Sequence, residues 1–588
     1  MKLSDYVIRF LRDQGIRHIF AVSGGASVHL IQSIADTSGI DFICPQHEQA
    51  GAMAADAYSR VTRNLGAAIS TSGPGATNML TGVCCAYYDS IPCIYITGQV
   101  FSFRSKADSG VRQLGFQETD TVNIYRAITK YLVKINRPEQ IRFELEKAVY
   151  LAKSGRPGPV LIDIPDDIQR VEVDPSQLEA FAPIEKVSNI SFLKGNLDEC
   201  IKLINRAKRP VIILGWGVRL AKAEMAVKKF IEKLNLPVAL TWATMDMFPS
   251  DYPLLVGGFG THGTRYGNFA VQNADLIIAI GTRLDIHHRG SPPSNFAREA
   301  HKIIVDIDRA ELEKFEDLDI DTDVLIQSDV KVFLEAVNHR INEIAVHNIS
   351  KWKEQIRKWK MRFPICPPKY YNETEVNPYV FVRILSDELM RGDTIVADTG
   401  CALAWTMQAF QFKPNQRLFH DFNNTSMGYA LPASIGASLA LGGQRIICIV
   451  GDGSLQMNIQ ELVTAIRHFL PIKIFVINNG GYSMIRQTQD QWLDSKYLAS
   501  SVVGGLAFPD FTKVAQAYGY KTLIIDKNNE IRNKIRDVFH LSGPVLCDVR
   551  IPSWHRTIPQ AKFGRPIEDN EPLLNRKEFL RNMIIKPI

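Results

Sequence analysis

The tripeptide Gly451-Asp452-Gly453, followed downstream by Asn478-Asn479, carries the clearest chemistry in the sequence. Asp452 closes an apolar strand pattern, Ser454 to Phe469 has helical spacing, and Lys473 to Ile477 reads as the next strand, ending at Asn479. If the two strands are neighbours, Asp452 and Asn479, 27 residues apart, emerge at one sheet edge. Open α/β sheets bind ligands outside the carboxyl ends of their strands. A carboxylate and an amide oxygen are hard donors suited to magnesium, which takes a few protein oxygens plus ligand phosphates. Gly453 and Ser454 open a helix whose free N–H groups can receive a diphosphate. A Gly-Asp-Gly turn alone carries no such meaning; the tripeptide, the spacing and the Asn pair together are far more specific.

Such residues work only where sheets hold them, and the chain reads as three blocks of short apolar strands alternating with helical stretches. That pattern belongs to the α/β class, with parallel sheets covered by helices. In the first block, strands are expected at His18 to Val22, Ile40 to Cys44, Ala67 to Thr71, Cys93 to Gly98 and Val160 to Pro165. Helices are expected over Glu48 to Arg63 and Thr77 to Tyr87. A polar, proline-dotted linker from Asp166 to about Asp198 leads to strands at Val211 to Leu214, Val238 to Thr241, Leu276 to Gly281 and Ile303 to Ile307. The third block has strands at Thr394 to Ala397, Arg445 to Val450, Lys473 to Ile477 and Val545 to Val549. The expected divisions are residues 1–170, 190–340 and 370–555, with a proline-rich, charged tail over 556–588 that wraps a domain surface. The first and third blocks match in length and pattern, as two related sheet domains around a different middle one would.

Composition narrows the partners. The 588 residues are 46% hydrophobic and 22% charged, a globular balance that excludes disorder and collagen-like repeats. A net charge of +6 over this length is weak support for nucleic acid or an anionic membrane. Between the second and third blocks, Lys351, Trp352, Lys353, Arg357, Lys358, Trp359, Lys360 and Arg362 suit either a nucleic-acid strip or a solvated helix whose tryptophans pack on a domain. The flanks add no basic excess, which favours the helix. No apolar run reaches the roughly 18 residues a membrane span needs. The opening helical pattern is broken by Arg9, Arg12 and Asp13, where a signal peptide needs an apolar core. Nine cysteines with no C-x-x-C pair fit reduced thiols. The expectation is a cytoplasmic protein with neither nucleic acid nor membrane as partner.

On Asp452, Gly453, Asn478 and Asn479 the chain resembles the thiamine-diphosphate enzymes, and over its whole length their acetolactate synthase branch. The resemblance implies a pyrimidine-binding, a central flavin-type and a diphosphate-binding domain. It also implies a metal held by Asp452, Asn479 and the main-chain carbonyl of Gly481, with Gly453, Ser454 and Tyr482 beside the cofactor. Gln46-His47-Glu48 matches the segment whose Glu hydrogen-bonds the aminopyrimidine and promotes deprotonation of the thiazolium carbon; Glu48 takes that role. Thr71-Ser72-Gly73-Pro74-Gly75-Ala76-Thr77-Asn78 matches the backbone that approaches the pyrimidine, with Pro74 and Asn78 in contact. Thr399-Gly400-Cys401-Ala402 matches the diphosphate-facing turn, and Thr425-Ser426-Met427-Gly428 the segment whose Met427 props the cofactor into its bent form. Gly24, Gly25 and Ala26 match the loop over the reacting carbon, with Ser23 in place of the family's Pro, and Gln117 matches an active-site Gln. His29, four residues after Gly25, is a catalytic candidate, although a half-buried helix histidine is more often structural. The family divides Glu and diphosphate site between subunits, implying a homodimer or homotetramer.

The middle block resembles that branch's FAD domain. Arg156, Gly215, Gly217, Thr241, His262, Gly281, Thr282, Arg283, Asp285, Asp306 and Ile307 stand where the family contacts FAD. Some relatives keep the domain's shape without flavin. Two positions depart from acetolactate synthases. The family's Arg-Phe-Asp-Asp-Arg, whose last Arg grips the acceptor's carboxylate, reads Arg283-Leu284-Asp285-Ile286-His287 here, and the acceptor-selecting Trp is Thr488. Imidazole does not replace a bidentate guanidinium without loss; Arg289 or Arg486 could restore the charge. The Lys of a usual Pro-Lys-Asp is Asp166. The leading expectation is an enzyme using thiamine diphosphate, Mg2+ and FAD that decarboxylates a 2-oxo acid such as pyruvate and passes the two-carbon unit to a carbonyl acceptor. Keto-sugars are among the acceptors of similar surface-polysaccharide enzymes. A true acetolactate synthase or a simple decarboxylase is the alternative. A non-catalytic binding protein is a distant one, since Glu48 and Asp452 are both present.

Overall fold

The computed structural model describes residues 1–107, 109–183 and 193–588. Three six-stranded parallel sheets succeed one another along the chain. The first comprises β1 (His18–Ala21), β2 (Asp41–Ile43), β3 (Gly66–Ser70), β4 (Cys93–Gln99), β5 (Tyr131–Lys134) and β6 (Val160–Pro165), in the order β2-β1-β3-β4-β6-β5. The second comprises β7 (Pro210–Leu214), β8 (Val238–Leu240), β9 (Leu255–Gly258), β10 (Leu276–Ile280), β11 (His301–Asp306) and β12 (Val324–Gln327). The third comprises β13 (Thr394–Ala397), β14 (Arg417–Phe419), β15 (Ile446–Gly451), β16 (Ile472–Asn478), β17 (Lys521–Ile525) and β18 (Val545–Arg550), in the order β14-β13-β15-β16-β18-β17. The first and third orders are the same permutation. The second differs: β9-β8-β7-β10-β11-β12 is the order 3-2-1-4-5-6 of dinucleotide-binding sheets.

Central strands are buried on both faces and therefore read as unbroken apolar runs. Two expected helices are divided. Thr77 to Tyr87 is two helices, Pro74–Asn78 and Leu80–Tyr88. Ser454 to Phe469 is Asp452–Met457, a 3-10 turn at Ile459–Glu461, and Leu462–Arg467. The break falls at Asn458, which leaves helical geometry while its side-chain amide donates to the Gly428 carbonyl (2.9 Å).

The first and third sheets share one core. Helix Glu48–Thr62 lies against helix Ala430–Ala440 so closely that a Cβ at Gly436 would sit 2.1 Å from the Ala54 carbonyl oxygen. Its run of alanines lets it be buried on every side. Helix Ser350–Arg362 buries Trp352, Ile356 and Trp359, one stripe of a helix, and its indoles donate to Pro210 O (3.1 Å) and Asn582 Oδ1 (2.8 Å). The basic residues between them ride on a packed helix. The tail lies on the middle unit: Asn268 Nδ2 donates to Ile567 O (2.7 Å) and Gln272 Nε2 to the buried Glu568 carboxylate (2.6 Å). Among the described residues no helix is long and apolar enough to cross a membrane, and all nine cysteines are free.

Candidate active site

Asp452 follows the strand core of β15, Asn479 lies just past β16, and those strands are paired. The Asp452 side chain is 2% exposed. Its Oδ1 accepts from Gly453 N (2.7 Å), and its Oδ2 from Asn479 N and Gly481 N (both 3.1 Å). Burial pushes the carboxyl up to about 6 in spite of those donors. Beside it, Asn479 Oδ1 is buried without a hydrogen-bond partner among the described residues. A buried carboxylate with a raised pKa next to an orphaned amide oxygen is a donor set that a hard divalent cation satisfies. The glycines are required: a Cβ on Gly453 would lie 2.1 Å from the Tyr482 ring, and one on Gly481 (φ +152°) 2.0 Å from the Arg486 guanidinium. Arg486 is buried and committed to backbone carbonyls, donating to Ser500 O (2.9 Å), Asn479 O (3.4 Å), Ser553 O (3.4 Å) and Gly480 O. It locks the loop and is not a free cation for a substrate.

Asp398, at the end of β13, organises the diphosphate side. Its carboxylate accepts from Thr399 N (3.0 Å), Gly428 N (3.1 Å) and Ala430 N (2.8 Å), and the Ser454 hydroxyl adds a further bond. Burial pushes it, too, up to about 6. One side chain thereby brings together the Thr399–Gly400 turn, Gly428 after Met427, and Ser454. Thr425, at φ +50°, shares a 2.6 Å hydroxyl contact with Thr399. Cys401 and Ala402 are buried in helix Cys401–Ala409, where Cys401 Sγ receives the Thr557 hydroxyl at 3.5 Å. Sequence reasoning missed Asp398. A signal was there: an Asp followed within two residues by Gly at the end of an apolar strand, much as at Asp452.

The carboxyl edge of the first sheet gathers the other expected residues. Gly24–Ala26 follow β1, Glu48 follows β2, and Thr71–Asn78 follow β3. Glu48 opens its helix, capped by His47 Nδ1 on Gln49 N (3.1 Å), and its Oε2 accepts from Asn78 Nδ2 (2.9 Å). Added Cβ atoms at Gly24 and Gly75 would lie 2.5 Å and 2.8 Å from Thr71 Cγ2, so these loops touch through glycine. Gly73, after which Pro74 begins a helix, meets Gln117, and both hold φ near +61°. The Gly25 loop packs on Thr71, with Ala26 N donating to its hydroxyl (3.2 Å). His29 faces Asp166 (Nε2 to Oδ1 3.6 Å), which Arg170 also holds at 2.9 Å; burial lowers the imidazole's pKa. A second residue missed from sequence is Glu461, whose carboxylate accepts from Gln46 N (2.9 Å), two residues before Glu48, and which burial pushes up to about 7.

Between β7 and β10, where the middle sheet's order reverses, opens a cavity of about 870 Å3. All the residues expected at FAD line it: Arg156, Gly215, Gly217, Thr241, His262, Gly281, Thr282, Arg283, Asp285, Asp306 and Ile307. The two loops meet through glycines, since a Cβ on Gly215 would lie 2.3 Å from Gly281 O. The cavity continues to Thr399, Gly400, Thr425 and Met484 of the third unit and takes in none of Glu48, Gly25, Gln117, Pro74 or Asn78. Trp242, His262 and His287 cluster in its wall with ring centroids 5.7–6.2 Å apart. Burial pushes His262 down to about 3, and both its nitrogens lack partners among the described residues. Burial lowers His287 as well. Burial opposes the charge on Asp285, but His288, His287 and Arg283 outweigh it and hold that carboxyl well below the usual range. Thr488 is exposed on helix Ser483–Trp492.

Family models for the thiamine pyrophosphate enzyme N-terminal TPP binding, central and C-terminal TPP binding domains match residues 1–124, 197–337 and 398–549. Fold and site thus define a thiamine-pyrophosphate enzyme. The chain is 34% identical to a probable acetolactate synthase 2, chloroplastic, of Oryza sativa subsp. japonica, over 97% of this chain and 86% of the relative. It is 33% identical to acetolactate synthase 1, chloroplastic, of Zea mays (97% and 88% covered) and 32% identical to the acetolactate synthase isozyme 3 large subunit of Escherichia coli (strain K12) (96% and 97% covered). The chain belongs to the acetolactate synthase-like branch of these enzymes, a carboligase class dependent on thiamine pyrophosphate.

Proposed function

We propose that this enzyme decarboxylates pyruvate, or a close 2-oxo acid, and transfers the two-carbon unit to an uncharged carbonyl acceptor such as an aldehyde or keto-sugar. Magnesium would be held by Asp452, Asn479 and Gly481, and FAD by the middle cavity. When bound, thiamine diphosphate supplies the carbanion chemistry of decarboxylation and carboligation. Glu48, steadied by Asn78, presents a carboxylate to the pyrimidine. Thr399, Gly400, Gly453 and Ser454 offer their turn and helix start to the diphosphate. On this reading the enzyme is a cytoplasmic homo-oligomer, a dimer at minimum; that the cavity reaches the diphosphate side and not the Glu48 side supports a second chain completing the centre.

The observation that carries the acceptor reading is His287. It lies in the cavity wall beside Trp242 and the neutral His262; part of it stays open to solvent, yet desolvation by the wall, with His288, outweighs Asp285 and disfavours its cationic form. A carboxylate acceptor there would lose a charge-assisted bidentate contact, and Arg486 is occupied with backbone carbonyls. The test is product analysis by NMR after incubation with pyruvate alone and with a panel of aldehydes, ketones and keto-sugars. A new carbon–carbon bond to an added uncharged carbonyl is expected. Rapid acetolactate formation from pyruvate alone would overturn the reading in favour of a biosynthetic synthase, and free acetaldehyde alone in favour of a decarboxylase. The purified protein should carry or take up FAD; a colourless preparation that takes up none would refute that assignment.

A further inference from the structure

We propose that the junction of the three units holds a second ligand site, for a small phosphate-bearing anion, beside the cofactor cavity and apart from the Asp452 centre. A cavity of about 200 Å3 opens there, lined by Arg60, Arg63, Lys153, Arg219, Lys222 and Arg417, with no carboxylate side chain among its lining. Lys153, Pro157, Trp216 and Leu220 line both this space and the flavin-type cavity, so the two adjoin along a shared wall.

The polar inventory of this cavity is one-sided. Arg60 is 4% exposed; its Nε and Nη2 bind Asp56 (2.7 and 3.2 Å), Nη2 also reaches Asp89 (2.8 Å), and Nη1 is buried without a partner among the described residues. Arg219 Nε and Trp216 Nε1 are likewise buried and unpartnered. Three orphaned donors thus belong to residues that line this space, and no orphaned acceptor does among the described lining residues. A buried donor left unpaired is costly, so native structures supply an acceptor.

Charge points the same way. Four carboxylates answer the six cations: Asp56 and Asp89 on Arg60, Asp246 on Arg219 and Arg417, and Glu224 on Arg63 and Arg219. Burial and the neighbouring Arg219 push Arg417 down to about 10, and burial with Lys222 lowers Lys153. A water would satisfy donors but leave this crowding of like charge. An acceptor-only dianion satisfies both, and phosphate geometry matches guanidinium forks. The same Arg60 network reaches the site already described, because Asp89 accepts from Phe422 N (2.8 Å) and Asn423 N (3.0 Å), just before Thr425.

The experiment titrates inorganic phosphate into holoprotein saturated with thiamine diphosphate, magnesium and FAD, at constant ionic strength, by calorimetry and Trp fluorescence. Saturable binding is expected, with succinate binding at least tenfold more weakly. Arg63→Gln and the exposed Lys222→Gln should each weaken phosphate at least tenfold while cofactor affinities hold. Melting curves establish that both variants are folded, and Lys222 is peripheral enough to serve alone if Arg63→Gln is not. Unchanged affinity in the folded variants would overturn the proposal. So would binding seen only without cofactors, which would place the anion in a cofactor site, and equal binding of succinate, which would remove the phosphate class.

Discussion

Asp452→Asn separates a metal ligand from a structural pin. The amide keeps the outline of the side chain but turns one acceptor into a donor. Its best orientation keeps the oxygen on Asn479 N and Gly481 N and sets the NH2 against Gly453 N, losing the 2.7 Å bond. Loss of one hydrogen bond to a charged acceptor costs about 1.5–3 kcal/mol. Against this, a carboxyl raised from 3.8 to about 6 is one whose charge disfavours the folded state. A rise of that size corresponds to about 3 kcal/mol, which a neutral amide does not incur. The two effects nearly cancel, so the melting temperature of the cofactor-free variant should stay within a few degrees of wild type. Metal binding has no such compensation: partners that merely orient a metal ligand cost 10–100-fold when lost, so a charged ligand should cost at least about 100-fold. The assay pairs scanning calorimetry of the cofactor-free protein with titration of thiamine diphosphate and magnesium. Unchanged cofactor affinity, or a collapse of folding without cofactor, would refute the reasoning.

Glu48→Gln keeps an acceptor for Asn78 and should retain thiamine diphosphate while turnover falls by about 100-fold or more, the usual scale for a general acid–base group; near-normal rates would remove Glu48 from the chemistry. His287→Arg restores a charge-assisted contact worth about 1.5–3 kcal/mol and should raise acetolactate formation from pyruvate alone by about ten- to a hundredfold; no gain, with the fold intact, would count against His287 as the selective position. Burial raises Glu461 from 4.5 to about 7, so between those values the folded chain keeps a proton that the unfolded chain has released. That stability is fully present below about 4.5 and lost as pH rises through about 7, about 3 kcal/mol in all. Glu461→Gln should therefore flatten the fall in melting temperature across that window, and an unchanged slope would show the carboxyl to be ordinary.

What the sequence disclosed follows burial. β6 and β13 have the bounds expected of them, and the other central strands differ by a residue or two, because strands covered on both faces must be continuously apolar. The five strands that were not expected, β5, β9, β12, β14 and β17, are all sheet edges. An edge strand is short and partly solvated, so Tyr131–Lys134 and Val324–Gln327 offer apolar runs of only three residues, too brief to stand out. Residues carried by backbone constraint were legible for a similar reason. Gly453 and Gly215 leave no room for a Cβ, and every position expected at FAD lines one cavity. The strand-end pattern at Asp398 could have drawn attention to that residue, but not to its task. Asp398 and Glu461 each act by gathering backbone N–H groups from segments distant in sequence, which no local pattern encodes. His29 gave a local pattern only, and its Asp166 partner is fixed by tertiary packing.

The matching order of the first and third sheets has a genetic consequence. Each offers the same edge of the same scaffold, one bearing Glu48 and the other Asp452. On the dimeric reading, every working centre draws one edge from each of two chains. Two alleles that are each silent, one disabled at Glu48 and one at Asp452, then need not be silent together. A mixed pair concentrates both lesions in one centre and leaves the other intact, so co-expression restores activity that neither allele has alone.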